Sequence, residues 1–146
     1  MKKIIFCGGI FLCSCCTVFA QDINIEKLIY AISMVESKGK PKAVNKSGSC
    51  VGLLQMKTIA VDDCNLYLKS KGSKKRYSYE DRYDANKSIE MFHLIQERYK
   101  NYKSYRSKTQ IEHMIRLWNG GCGYTINGTQ NYYNKVISIY IKDIKN

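Results

Sequence analysis

Glu36 is the residue of this chain best placed to give up and take back a proton. It ends a run in which Ile25, Leu28, Ile29, Ile32 and Val35 recur at steps of three and four, so one stripe of a helix faces a core and Glu36 lies at its edge. A carboxyl held partly desolvated at a cleft has a raised pKa and can serve as an acid. Gly52-Leu53-Leu54-Gln55 follows after a loop containing Gly, Pro and Ser, and Asn119-Gly120-Gly121-Cys122-Gly123 forms a second glycine-rich stretch. The next acidic residues, Asp62 and Asp63, read as a solvated helical face about two turns beyond Gln55. Sulfur chemistry is the alternative, with Cys50 or Cys122 as nucleophile and His93 or His113 as base, but buried structural Cys and surface His are commoner. Zinc is disfavoured because the spacings of Cys50, Cys64 and Cys122 lack CxxC and both histidines lie on helix-like stretches.

The elements that must position these residues are mostly helical. The first helix should stop at Ser37-Lys38-Gly39-Lys40-Pro41, with Gly as the C-terminal cap and the residue before Pro driven out of helical geometry. Residues 43–51 read as a loop or small hairpin around Ser47-Gly48-Ser49. A second helix is predicted from Leu53 to Leu68, with Leu54, Thr58, Val61 and Leu66 near the core. Asp81 or Asp84 can cap a third, carrying Ala85, Ile89, Phe92, Ile95, Gln96 and Tyr99. Thr109-Gln110-Ile111-Glu112 is a capping box for a fourth, with Ile111, Met114, Ile115 and Trp118, which must break at Asn119-Gly120-Gly121. A last helix from about Gln130 carries Tyr133, Val136, Ile137, Tyr140 and Ile144. No repeat or long linker divides residues 21–146, and the only proline is Pro41.

The first twenty residues read as an export signal. Lys2-Lys3 precedes an apolar stretch from Ile4 to Val18, and Val18-Phe19-Ala20 before Gln21 offers small residues for cleavage. A membrane helix fits less well, since Gly8, Gly9 and Ser14 interrupt a stretch already short for a bilayer. Leu12-Cys13-Ser14-Cys15 is similar to a bacterial lipobox, and acylation of Cys15 is the one route by which the chain would be held at a membrane. Four of the seven cysteines (Cys7, Cys13, Cys15 and Cys16) lie in this leader, which leaves Cys50, Cys64 and Cys122. An exported domain could pair two of them and bury the third; the sequence does not choose the pair. Loss of Lys2 and Lys3 lowers the formal charge of +12 by two and leaves the domain strongly basic, suited to polyanions such as the cell wall and membrane surface. Its densest basic stretch, Lys69 to Arg76, reads first as a solvated loop.

Glu36-Ser37, Pro41-Lys42-Ala43-Val44-Asn45, Gly48 and Gly52-Leu53-Leu54-Gln55 together resemble the first motif block of the lysozyme-like soluble lytic transglycosylases. Leu117-Trp118-Asn119-Gly120-Gly121-Cys122-Gly123 is similar to that family's Tyr-Asn-Ala-Gly block, and Tyr132-Tyr133-Asn134-Lys135-Val136 to its late Tyr block. Order and spacing over most of residues 26–137 make the match specific, although each string alone is common. The resemblance implies a mainly α, lysozyme-like single domain over 21–146, of α+β type with at most a small β hairpin. It implies Glu36 as the one catalytic residue, and Ser37, Asn45, Gln55, Trp118, Asn119 and Tyr132 as substrate-binding positions. Trp118 stands in place of the usual Tyr and Asn45 in place of a common Ser; helical periodicity favours Tyr132 over Tyr133 for the cleft.

The implied reaction cleaves the β-1,4 bond between N-acetylmuramic acid and N-acetylglucosamine in peptidoglycan. Ordinary glycosidases use two carboxyl groups, whereas here one could protonate the leaving oxygen and then take a proton from the sugar's own C6 hydroxyl. No metal or organic cofactor is implied. The expected partners are peptidoglycan strands and a secretion or conjugation machine, with no nucleic acid; a phage-associated wall enzyme is a further likeness. The competing readings are a hydrolytic muramidase, a non-catalytic wall-binding module, and a basic nucleic-acid binder if the export signal is misread.

Overall fold

The computed structural model describes residues 23–102 and 109–142 of the chain. The expected export signal and Ile144 lie outside them. Among the described residues the domain is mainly helical, with no strand longer than an isolated bridge, in keeping with the lysozyme-like class. No helix among them is long and apolar enough to cross a membrane.

Helix α1 (Ile25–Ser37) is opened by Asn24, whose side chain accepts the Lys27 N–H at 3.0 Å, and it buries Leu28, Ile29, Ala31 and Ile32. The leucine and the two isoleucines each contribute roughly 1.5–3 kcal/mol on leaving water. The helix ends as expected, but Lys38, not Gly39, takes the first left-handed position (φ 55°), followed by Gly39 at φ 73°. The Gly39 N–H then closes back onto the Ser33 carbonyl at 3.2 Å.

The chain next folds three short segments side by side. Val51 bridges both Val44 and Met56, with Val51 N–H to Met56 O at 3.1 Å and Met56 N–H to Val51 O at 2.9 Å. Residues 52–55 are therefore a turn, and the predicted second helix from Leu53 is corrected: α2 runs Thr58–Ser70. Left-handed backbone at Gly52 (φ 82°) and Gln55 (φ 50°) cannot continue a helix. The later start also changes the buried face. Val61 and Cys64 are in the core, Thr58 is exposed, and Leu66 is 58% exposed.

A 3-10 turn over Tyr79–Tyr83 carries a capping box between Ser78 and Asp81, while Asp84 caps α3 (Ala85–Tyr99). Helix α4 (Gln110–Gly120) begins at Thr109, whose hydroxyl accepts the Glu112 N–H at 3.2 Å, and is capped by Gly121. Helix α5 (Ile126–Lys142) starts a full turn before the predicted Gln130. Asn127-Gly128 has poor helix propensity, but the buried Arg116 guanidinium donates to Ile126 O (2.9 Å), Thr129 Oγ1 (2.9 Å) and Gln130 Oε1 (2.8 Å). That tertiary clamp holds the first turn of α5.

Helix α5 packs on both α4 and α1, and α2 packs on α3. Asn24 N–H meets Tyr140 Oη at 3.2 Å near one end of the α1/α5 pair and Glu36 meets Tyr132 at the other, so the two helices run antiparallel. Gly52 is the point of closest approach between the hairpin turn and the 3-10 element. A Cβ there would lie 1.8 Å from the Arg82 carbonyl oxygen, which only glycine avoids.

Candidate functional site

Glu36 is the penultimate residue of α1, and Tyr132 reaches it from α5 across the helix pair. The Tyr132 hydroxyl donates to Glu36 Oε1 at 2.7 Å. Burial raises the Glu36 pKa above the usual carboxylate range, and the Tyr132 hydrogen bond acts in the opposite, weaker sense. Tyr132 itself is driven well above the normal phenol range, first by burial and then by the Glu36 charge and hydrogen bond, so it remains a donor at any working pH. With Oε1 held by Tyr132, Oε2 is the oxygen left to carry a mobile proton.

The turn on which α1 ends is locked to the hairpin. Ser37, 7% exposed, donates its hydroxyl to the Leu53 carbonyl at 2.7 Å and accepts the Lys40 N–H at 3.1 Å. Gln55 spends both amide hydrogens on backbone, to Ala43 O at 3.2 Å and Gly52 O at 3.0 Å, which leaves its Oε1 to offer elsewhere. Lys38 and Gln55 are the non-glycine residues with left-handed backbone among those described; Lys38 lies two residues after Glu36, and Gln55 shares the cavity with it. Such conformations cost on the order of 1–3 kcal/mol and persist where neighbouring bonds over-determine them.

A cavity of about 600 Å³ opens beside Glu36, within the range of small-ligand sites. Gln55, Met56 and Cys50 come to it from the hairpin; Lys57, Ile59, Ala60 and Asp63 from α2 and its start; Ile95 and Tyr99 from α3. The end of α4 supplies Leu117, Trp118, Asn119, Gly120, Gly121 and Cys122. Trp118 is braced by Phe92 with ring centroids 5.0 Å apart, so its ring is a fixed wall. Of the residues singled out from sequence, Glu36, Gln55, Trp118 and Asn119 line this cavity, and Tyr132 touches it through Glu36. Ser37 and Asn45 are not among its walls. Asn45 Oδ1 accepts the Cys50 N–H at 3.1 Å and so shapes the loop that presents Cys50.

Asp63 departs from its reading as a solvated face. It lines the cavity, and its Oδ1 receives Arg98 Nε at 3.2 Å and the Tyr99 hydroxyl at 3.0 Å. Asp62 does face solvent and accepts the Tyr79 hydroxyl at 3.0 Å. The sulfur alternative is not assembled. Cys64 is buried, with its thiol on the Met91 carbonyl and its pKa pushed up to about 12 by burial and then by Asp63. Cys50 and Cys122 line the cavity, whereas His93 is exposed on α3 and His113 is buried against the Tyr124 hydroxyl at 3.1 Å.

The residue that sequence reasoning passed over is Arg116. It is 2% exposed, donates to Glu112 at 2.8 Å and lies 4.5 Å from the Tyr133 ring centre. An arginine interrupting the apolar run of α4, four residues after Glu112, was the available signal. By fixing the first turn of α5 it sets where Tyr132 begins its reach toward Glu36.

Residues 20–141 match the family model of the transglycosylase SLT domain. Neither a curated protein nor a solved structure matches the chain.

Proposed function

The chain belongs to the transglycosylase SLT domain family, whose members cleave glycosidic bonds in peptidoglycan, and from that premise we propose that it is a lytic transglycosylase with Glu36 as acid and then base. The observation that carries this reading is the 2.7 Å bond from Tyr132 to a Glu36 whose pKa burial has raised.

Protonated on Oε2, Glu36 gives its proton to the glycosidic oxygen between N-acetylmuramic acid and N-acetylglucosamine as the C1–O bond breaks. The leaving sugar departs as an alcohol and positive charge spreads over C1 and the ring oxygen. The Glu36 carboxylate, steadied by Tyr132, then accepts the proton of the same muramic acid's C6 hydroxyl. O6 bonds to C1, the 1,6-anhydro ring closes, and Glu36 is returned to its starting state. Gln55 Oε1 and the Asn119 amide are the polar groups assigned to sugar substituents, and the Trp118 ring supplies an apolar wall for a pyranose face. Residues 1–20 act as an export signal in this reading and residues 21–146 as the enzyme. It works outside the cytoplasm and opens wall locally for a secretion or conjugation machine.

Asp63 supports a second reading. A further carboxylate on the same cavity is what a hydrolytic muramidase would use to direct water. Its engagement by Arg98 and Tyr99 argues against that role. Mass analysis of muropeptides released from purified peptidoglycan decides between them: 1,6-anhydro ends are expected, and reducing ends alone would overturn the transglycosylase reading.

A further inference from the structure

Arg116 is not among the walls of the cavity, yet its guanidinium bears on the geometry there. Its Nη1 and Nη2 bonds and its stacking fall on Ile126, Thr129, Gln130 and Tyr133 of α5. Steps of three and four residues mark one face of that helix. Gln130 carries the contact further along α5, donating to Asn134 Oδ1 at 2.8 Å. Tyr132 precedes Tyr133 by one residue and so points about 100° away from it around the axis, which turns it from α4 toward Glu36 on α1. One face of α5 is gripped, and another delivers the Tyr132 hydroxyl.

A grip of this kind fixes rotation. The guanidinium is planar, donates in set directions and is anchored to its own helix through Glu112 at 2.8 Å. Helices α4 and α5 are also pressed together at Gly120, where a Cβ would lie 2.9 Å from Thr129 Cγ2. Apolar contact holds two helices together without choosing an angle, because burial has no direction. A small turn of α5 about its axis would keep that contact and still carry the Tyr132 hydroxyl, at the far end of its side chain, out of its 2.7 Å bond. Resting on the reading of Glu36 as acid and base, we infer that Arg116 is a positioning residue for the reaction: it sets the rotation of α5 at which Tyr132 donates to Glu36.

Glu36 faces Tyr132 from α5, and the cavity also carries Cys50 from the hairpin, Lys57 and Asp63 from α2 with Arg98 behind Asp63, Tyr99 from α3 and Cys122 after α4. These groups are the same in every variant, so a displaced titration reports the Tyr132 bond. The test follows the Glu36 carboxyl of the full chain by ¹³C NMR titration without substrate, its signal assigned by its absence in Glu36→Gln. Arg116→Met, and Arg116→Lys, which keeps the charge and loses the planar fork, should each move the Glu36 midpoint upward by no more than Tyr132→Phe does. Turnover on purified peptidoglycan should fall by up to about ten-fold, with its alkaline limb displaced alike.

In a Tyr132→Phe background neither Arg116 variant should move the midpoint further, because both changes act on one bond. A role confined to stability would lower the melting temperature and leave the midpoint in place. A midpoint unmoved in both variants, a wild-type midpoint in Arg116→Lys alone, or a further shift in the Tyr132→Phe background overturns the inference. Gln130→Ala removes one acceptor and leaves the charge, so it serves if neither Arg116 variant folds: a smaller upward shift supports the inference, and no shift overturns it. The titration needs no substrate. A displaced midpoint therefore supports the positioning role even if only reducing ends are released, and a wild-type midpoint sinks it even if 1,6-anhydro ends appear.

Discussion

Two carboxylates line one cavity, and they differ in the groups that hold them. Glu36 is half-buried at the end of α1 and faces a neutral hydroxyl, and desolvation is the larger influence on it, so its proton is retained to higher pH. Asp63 is partly exposed on α2 and faces a guanidinium as well as a hydroxyl. Residue type alone therefore assigns neither role; the partners on the neighbouring helices do.

The largest break of that comparison comes from Glu36→Gln. Loss of a general acid typically costs about 10²–10⁴-fold in rate, and purified peptidoglycan digested by the variant should show that fall in turnover. A similar fall with Asp63→Asn would make the two carboxylates equivalent and return the hydrolytic reading. Next in size is Gly52→Ala. Its methyl group would press on the Arg82 carbonyl in the turn that Ser37 ties to α1, so destabilisation of about 2–4 kcal/mol is expected in denaturant titration.

Tyr132→Phe is smaller, with a fall of about ten-fold in turnover from the lost charge-assisted bond. Its diagnostic is the pH profile. The Tyr132 bond lowers the Glu36 pKa, so its removal raises that pKa further. The alkaline limb, where the acid loses its proton, should move to higher pH. A profile that does not move would detach Tyr132 from the proton. Smallest is a stability effect in Glu36→Gln. Because folding raises the Glu36 pKa, wild-type stability is fullest below the unfolded value of about 4.5 and declines as pH climbs through the folded value. Glutamine lacks that charge, so the variant should melt above wild type at neutral pH, with the gap closing in acid.

Much of this was legible before any coordinates. The three- and four-residue spacing from Ile25 to Val35, the caps at Asp84 and Thr109 and the break at Gly120-Gly121 are local properties, written in single residues and their near neighbours. They gave the helices α1, α3 and α4. Local signals misled at Leu53 and at Asn127. The apolar pair Leu53-Leu54 looks like a helix start, yet backbone bonds between Val51 and Met56 turn it into a hairpin. Asn127-Gly128 looks like a loop, yet Arg116 from another helix holds it helical.

The sequence by itself determined that Glu36 would stand at a helix end beside glycine-rich turns, since helix periodicity and termination act over a few residues. Only the tertiary structure decided which tyrosine meets it, that Ser37 and Asn45 serve the backbone, and that Asp63 joins the same cavity under Arg98 and Tyr99. Those contacts link residues 36 to 132 and 63 to 98, and no local periodicity reports the packing of α5 on α1 or α3 on α2. Desolvation of Glu36 is a property of the assembled core and exists only once the helices have packed.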